Sequence, residues 1–453
     1  MGVTSASTGF QAETRPLGFW PCLALVVGTL IGSGIFLLPA QLAPYGWNAV
    51  FGWLVTIGGA LCIAFVFARL AAAIPDAAGP HAFVGNAFGK LAAFGITWAY
   101  WIAIWVGNAA IAIAAVSYAS LFVPELAETP IVGAGAAVAL LWLLTALNCV
   151  SLKASGGFQL VTAALKLLPL LAVILVAALV LGGGGESQAP PFRAEEIDLG
   201  AINAAAAIGL WAMVGFEAAA WASRNVRDPA RNVPRATLYG TLVVGLFYLA
   251  VTTSVMLLVP PETLAASNAP LALAIEPYAG AGIALLFGLF AAISVTGALN
   301  GLVLVQGELP LQLARDGALP HWLGKLSARG LPVRAQILSS ALSTALILAN
   351  SSRTLSGLFV FMALVATAAT LILYLVVAAA AIELQRRNRV ETSPALLITA
   401  GIGILFALWT FYGAGFEATG WTLALIAAGF PIYGLTKLLS STRPAADSPA
   451  PPE

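Results

Sequence analysis

The sequence predicts an all-α, polytopic membrane protein with about 12 transmembrane helices. Of its 453 residues, 60% are hydrophobic and only 9% are charged, and the mean hydropathy is +0.95. Soluble domains are about one quarter charged, so this composition excludes a soluble enzyme or scaffold. The net charge of +1 is too balanced for a nucleic-acid binder.

Long apolar runs alternate with short connections that contain proline, glycine or charged residues. A helix needs about 20 apolar residues to cross the hydrocarbon core. By this criterion the expected spans are 18–43, 46–72, 91–121, 130–151, 157–182, 200–221, 235–259, 279–312, 335–350, 355–383, 395–414 and 418–439. They form one transmembrane domain over residues 17–440, between an N-terminal tail (1–16) and a C-terminal tail (441–453).

The basic residues predict the orientation of these spans, because Lys and Arg accumulate in cytoplasmic connections. Only Arg193 and Arg353 fall on the opposite side, and Lys166 lies within a span. With the N-terminus placed inside, 17 of the 20 basic residues are cytoplasmic: Arg15, Arg69, Lys90, Lys153, Arg224, Arg227, Arg231, Arg235, Arg315, Lys325, Arg329, Arg334, Arg386, Arg387, Arg389, Lys437 and Arg443. Both termini are therefore expected in the cytoplasm.

The first span contains a glycine-rich interruption, GTLIGSG, from Gly28 to Gly34. Each glycine weakens a helix by about 1 kcal/mol relative to Ala and lets the backbone unwind. N–H groups that open the following half-helix would favour a carboxylate, and carbonyls that end the preceding one would favour an ammonium. Close helix packing through small residues is the alternative interpretation.

The sixth span contains a second interruption, WAMVGFE, from Trp211 to Glu217. A carboxylate in mid-membrane is costly and usually functional, although a structural Glu hydrogen-bonded between helices is the alternative. Spans 1 and 6 occupy corresponding positions in a five-plus-five repeat. Interrupted helices at such positions indicate the binding site of a transporter.

These stretches resemble the amino acid–polyamine–organocation superfamily of transporters, in particular its basic amino acid/polyamine antiporter family, which includes arginine/agmatine antiporters. The matching segments are GTLIGSGIFLLPAQLA, FGWLVTIGGAL, YWIAIWVGN, LWAMVGFEAAA and RDPARNVPRAT, which begin at Gly28, Phe51, Tyr100, Leu210 and Arg227. The resemblance implies a LeuT-type fold with discontinuous helices 1 and 6, in which helices 1–5 and 6–10 are inverted repeats and helices 11–12 follow. It also implies a location in the cell inner membrane and, from the antiporter relatives, a homodimer.

The resemblance further implies roles for individual residues. Amides around Ser33 and Gly34 would hold a carboxylate, and carbonyls near Leu30 and Trp211 would take an amino group. The implied substrate-binding residues are Thr29, Leu30, Gly32, Ser33, Gly34, Tyr100, Ile104, Asn108, Ile111, Trp211, Val214, Gly215 and Leu302. The implied coupling or gating residues are Lys166, Trp211, Glu217 and Tyr374. For Tyr100 and Asn108, packing between helices is the alternative.

Two positions depart from the arginine/agmatine antiporters. Leu302 stands where they carry a tryptophan that stacks on the guanidinium, so a cation–π interaction of about 0.5–2 kcal/mol is absent and strict arginine specificity is not expected. Lys166 lies in span 5, where a lysine in other superfamily members occupies the space of the sodium ion in sodium-coupled relatives. It therefore predicts sodium independence, with snorkelling to the interface as the alternative.

The expected function is a secondary active transporter, an antiporter or permease, that moves amino acids or related amines by alternating access. Proton-coupled uptake of neutral amino acids and exchange of arginine/agmatine or polyamines are the alternatives. An intramembrane enzyme is disfavoured because the spans carry no metal-ligand or nucleophile motif, and a channel is disfavoured because no filter motif repeats. No cofactor or metal is expected.

Overall fold

Apolar helices dominate the described part of the chain in this structure, which is a computed structural model. It describes residues 17–32, 34–74, 79–150, 165–221, 223 and 226–441. The only β feature in these ranges is an isolated bridge between Leu17 and Val226.

The helices follow the apolar runs of the sequence. Those before residue 190 are α1 (Phe19–Leu30), α2 (Gly34–Leu42), α3 (Trp47–Ala73), α4 (Pro80–Phe88), α5 (Lys90–Ala119), α6 (Glu125–Glu128), α7 (Pro130–Val150) and α8 (Leu167–Gly182). Those after it are α9 (Leu199–Met213), α10 (Ala218–Trp221), α11 (Pro229–Leu258), α12 (Pro261–Ala265), α13 (Pro270–Ala279), α14 (Ala281–Val305), α15 (Glu308–Arg315), α16 (Val333–Ala349), α17 (Leu355–Arg386), α18 (Pro394–Gly413) and α19 (Gly415–Ser441).

Nine helices in the described residues are long and apolar enough to cross a membrane, counting α9 with α10 and α14 with α15 as single spans. A tenth candidate is the pair α1 and α2, which is bent by 46° at its break. The shorter apolar helices α8 and α16 coincide with expected spans 5 and 9. The start of span 5, residues 157–164, lies outside the described residues. The expectation of an all-α, multi-span membrane protein is therefore confirmed.

Helix α5 forms the centre of the bundle and packs against α4, α7, α14, α16 and α17. In the most apolar 18-residue stretch of α5, 94% is buried inside the bundle, whereas only 11% is buried in the corresponding stretch of α19. Among its 30 residues only Lys90, at the N-terminal end, is charged, and many others are small. Small side chains allow neighbouring backbones to approach closely, which places α5 where most helices meet.

The interior of the described structure contains almost no charged side chains. Among the described residues only two charged side chains are buried, Lys166 with 6% of its surface exposed and Glu217 with none. A buried charge in a membrane protein is costly unless neighbouring groups solvate it. The surroundings of these two residues are therefore the places to look for function.

The RDPARNVPRAT segment forms the tight entry into α11. Asp228 has a positive φ of 46°, a conformation in which Asp is enriched, and Pro229 follows as the first helical residue. The Arg227 amide donates to the Leu17 carbonyl at 2.7 Å, and the Asn232 side chain donates to the Arg227 carbonyl. The segment thus joins the start of α11 to the beginning of span 1.

Candidate functional site

The first span is broken where the glycine pattern predicts. Helix α1 ends at Leu30 and α2 begins at Gly34, with Gly32 in the bend between them. The Leu30 carbonyl accepts a hydrogen bond from the Tyr248 hydroxyl of α11 at 2.7 Å. Ser33 lies outside the described residues, so its role stays a prediction.

The sixth span is broken between α9 and α10. Val214 is extended (φ −67°, ψ 130°), and Gly215 has a φ of +126°, which L side chains rarely adopt. The chain resumes helical structure at Ala218, whose amide donates to the Gly215 carbonyl at 3.1 Å. A side chain at position 215 would therefore strain the break.

The two breaks touch each other. The Thr29 hydroxyl lies 3.2 Å from the Gly215 carbonyl, as well as within hydrogen-bond distance of the Leu25 and Val26 carbonyls of its own helix. A Cβ atom at Gly215 would lie 3.3 Å from the Thr29 carbonyl group. Two helix interruptions far apart in sequence thus form a single region inside the bundle, where backbone polar groups are not all used in helical hydrogen bonds.

Glu217 occupies the centre of this region and is fully buried. Its Oε1 accepts from the Tyr100 hydroxyl of α5 at 3.0 Å. Its Oε2 accepts from the Tyr374 hydroxyl of α17 at 3.0 Å and from the Gly215 amide at 3.1 Å. The Glu217 carboxylate therefore accepts three hydrogen bonds, which involve both of its oxygens. These bonds stabilise it without an ion pair to any described residue.

Aromatic rings surround these hydroxyl contacts. The Phe216 and Tyr374 rings stack with centroids 5.0 Å apart, and Phe67 packs edge-on against both, at 6.1 and 5.7 Å. Such pairs add about 0.5–1.5 kcal/mol beyond burial. They hold the Tyr374 hydroxyl in position to donate to Glu217.

Trp211, the last aromatic residue before the break, packs between two glycines. A Cβ atom on Gly34 would lie 3.0 Å from its Cδ1 atom, and one on Gly107 would lie 2.8 Å from its Cη2 atom. The indole therefore fits between α2 and α5 only because both positions lack a side chain. Its Nε1 atom has no hydrogen-bond partner among the described residues.

One stripe of α5 faces this region. Tyr100, Ile104, Asn108 and Ile111 recur at helical spacing, and the last three are buried. Asn108 donates from Nδ2 to Oε1 of Gln306 at 2.7 Å. The structure therefore places Tyr100 against Glu217 and Gly107 against Trp211, whereas substrate-binding roles for Ile104, Asn108 and Ile111 stay predictions.

Two further expected residues lie on neighbouring helices. Leu302 is one helical turn before Gln306, and the main-chain N–H of Gln306 donates to the Leu302 carbonyl at 2.9 Å. Lys166 immediately precedes α8, which packs against α11, α13 and α14, and no hydrogen bond or ion pair joins its ammonium to another described residue. Its expected place beside the span-1 break stays a prediction.

Sequence reasoning missed three residues that shape the site: Gly107, Tyr248 and Gln306. Gln306 carried a usable signal, because it is a lone amide within the apolar run GLVLVQG of span 8. Tyr248 and Gly107 carried none, since a tyrosine or glycine in a span is ordinary until its neighbour is known.

Comparison with known proteins decides the family. Residues 17–432 match the family described as Amino acid permease. This chain belongs to the amino acid permease family. The permease is accordingly a secondary transporter in the membrane and not an enzyme.

Similar proteins agree with this assignment. A cadaverine/lysine antiporter of Escherichia coli (strain K12) is 33% identical over 346 residues, which cover 75% of this chain and 76% of the relative. A putative arginine/ornithine antiporter of Bacillus subtilis (strain 168) is 31% identical over 80% of this chain and 83% of its own. The putrescine transporter PotE of Escherichia coli (strain K12) is 26% identical over 94% and 97%.

The position of Trp211 generates a prediction for Gly107→Ala. The added methyl group would lie 2.8 Å from the indole, so the ring must leave its place between α2 and α5. We expect the initial rate of amino acid uptake into proteoliposomes to fall about tenfold or more, because small displacements at a site have large effects on rate.

The matched control is Gly95→Ala on the same helix, where the new methyl group would lie 3.5 Å from Phe430, an ordinary contact. Both substitutions raise helix propensity equally. Equal uptake rates for the two variants would show that transport does not depend on the place of the Trp211 indole between α2 and α5.

Proposed function

We propose that this permease is an antiporter that exchanges an amino acid carrying a second amino group for a related amine, by alternating access and independently of sodium. The observation that carries the proposal is the contact between the two helix breaks, Thr29 against Gly215, beside the buried carboxylate of Glu217. Paired breaks of this kind are where transporters bind small charged substrates.

The backbone at the breaks offers partners for both ends of an amino acid. In this proposal, amides around Ser33 and Gly34, at the positive end of the α2 dipole, would hold a carboxylate; Ser33 itself lies outside the described residues. Carbonyls between Trp211 and Val214 and that of Leu30 would accept from the amino group. The Leu30 carbonyl accepts from the Tyr248 hydroxyl at 2.7 Å and from the Gly32 amide at 2.6 Å, so a substrate amino group bound there would replace one of these donors.

The same contacts support a mechanism of alternating access. In this proposal spans 1, 2, 6 and 7 rock against spans 3, 4, 8 and 9, with Trp211 closing over the substrate and Glu217 joining span 6 to α5 and α17. The corresponding positions of the two breaks support the LeuT-type inverted repeat of helices 1–5 and 6–10. Helices α8 and α16 then complete 12 spans, with both termini in the cytoplasm.

The substrate class is supported by the relatives and by Leu302. The relatives named above act on lysine, cadaverine, arginine, ornithine or putrescine, each of which carries two basic groups. Leucine at position 302 has no aromatic face for a guanidinium. An amine at the end of the substrate therefore fits better than a guanidinium group.

Sodium independence is proposed from Lys166. Its side chain is buried at the start of α8, and a fixed cation in this region would take the electrostatic place of a sodium ion. An exchange cycle supported by lysine needs no ion gradient.

Counterflow in proteoliposomes tests the proposed function. Vesicles loaded with unlabelled lysine or cadaverine should accumulate external radiolabelled lysine several times faster than empty vesicles, and equally well when choline replaces sodium.

Lys166→Ala should slow this exchange, whereas Lys325→Ala, at an exposed position in the connection between spans 8 and 9, should not. Uptake that ignores the internal load but follows a proton gradient would instead identify a proton-coupled uptake system. A requirement for sodium would contradict the role given to Lys166.

Leu302→Trp tests the placement of the substrate's far end. An indole at this position should bind a guanidinium by a cation–π interaction of about 0.5–2 kcal/mol, which corresponds to roughly 2- to 30-fold tighter binding of arginine or agmatine. Affinity would be measured by competition with radiolabelled lysine. Leu289→Trp, on the exposed surface of the same helix, serves as the control. No gain for Leu302→Trp would place position 302 outside the site.

A further inference from the structure

A buried chain of hydrogen bonds leads from α7 and α16 to the site. It consists of Thr145, Ser340, Gln306 and Asn108, all fully or almost fully buried, and is called the Asn108 chain below. Asn108 Nδ2 donates to Gln306 Oε1 at 2.7 Å, and Gln306 Nε2 donates to Ser340 Oγ at 2.8 Å. Ser340 Oγ lies 2.7 Å from Thr145 Oγ1. The chain joins spans 3, 4, 8 and 9.

Main-chain carbonyls set the direction of this chain, because a carbonyl can only accept. The Thr145 hydroxyl donates to the Leu141 carbonyl at 2.8 Å, so Ser340 donates to Thr145 and accepts from Gln306. The side-chain amino group of Gln306 also donates to the main-chain carbonyl of Gln336 at 3.3 Å. Both contacts turn the Gln306 amide so that its oxygen, and not its nitrogen, faces α5.

This orientation fixes the Asn108 amide in turn. Its amino group is directed to Gln306, and its Oδ1 has no hydrogen-bond partner among the described residues although it is fully buried. A buried acceptor without a donor costs about 1–3 kcal/mol. Asn108 shares a helix stripe with Tyr100, which binds Glu217, and adjoins Gly107, against which Trp211 packs. A ligand held between the breaks can supply the missing donor.

We propose that Gln306 is a positioning residue that orients the Asn108 amide so that Oδ1 accepts a hydrogen bond from a second amino group of the substrate. The inference rests on the proposed function and deepens it, because it names the feature that the site selects. Without Gln306, the Asn108 amide can rotate and present its own amino group to the cationic amine. That orientation offers no acceptor and repels the substrate.

The test compares two pairs of probes that differ only in a terminal ammonium: lysine with norleucine, and cadaverine with pentylamine. Wild-type protein should bind the member with the ammonium more tightly. Gln306→Met should reduce that preference about tenfold by weakening lysine and cadaverine alone, since a hydrogen bond to a charged group is worth at least this much. Gln306→Glu should keep the preference, because in its protonated form one carboxyl oxygen accepts from Asn108 while the hydroxyl donates to Ser340 as the Gln306 amino group does.

Two further variants separate positioning from general damage. Gln312→Met, in the partly exposed part of α15, should leave the preference unchanged. The double variant Asn108→Leu with Gln306→Met should show no lower preference than Asn108→Leu alone, because Gln306 acts only through Asn108.

Three outcomes would overturn the inference. Equal weakening of lysine and norleucine by Gln306→Met would assign Gln306 a structural role. A wild-type protein that binds lysine and norleucine equally would show that Asn108 selects no second donor. Wild-type protein that binds none of the four probes would contradict the proposed function, and with it this inference.

Discussion

The buried carboxylate of Glu217 is the interaction on which the arrangement of the site depends. It accepts from the Gly215 amide within its own break and from the hydroxyls of Tyr100 and Tyr374 on two different helices. A carboxylate without such donors would be strongly unfavourable in this interior. The break in span 6, the position of α5 and the position of α17 are therefore determined together, and movement of span 6 against α5 must break or carry the Tyr100 hydrogen bond.

Missing side chains are as important to the site as polar ones. Gly34 and Gly107 leave the space that the Trp211 indole fills, and Gly215 permits the backbone conformation that aims its amide at Glu217. At Gly215 the missing Cβ atom also lets the second break approach the Thr29 carbonyl group of the first. On α5, next to Gly107, the Asn108 chain holds one amide in a fixed orientation. The proposed alternating access would move the broken spans against this fixed amide.

Local patterns in the sequence predicted the local features of the structure. The apolar runs gave the helices, the glycines of GTLIGSG gave the break after Leu30, and the rarity of charge in the spans singled out Glu217. Pairings could not be predicted in this way. Tyr374 is 157 residues from Glu217, and Tyr248 is 218 residues from Leu30, so neither contact leaves a trace in periodicity or composition. Such contacts arise from helix packing, which depends on the whole chain.

The most direct test of this account is a double-mutant cycle on thermal unfolding of the purified protein. Tyr100→Phe and Tyr374→Phe should each lower the Tm when Glu217 is present, because each removes a donor from a buried carboxylate. In a Glu217→Leu background the same two changes should lower the Tm little further, since the hydroxyls have lost their acceptor. Equal losses of Tm in both backgrounds would contradict the claim that Glu217 joins the broken span to α5 and α17.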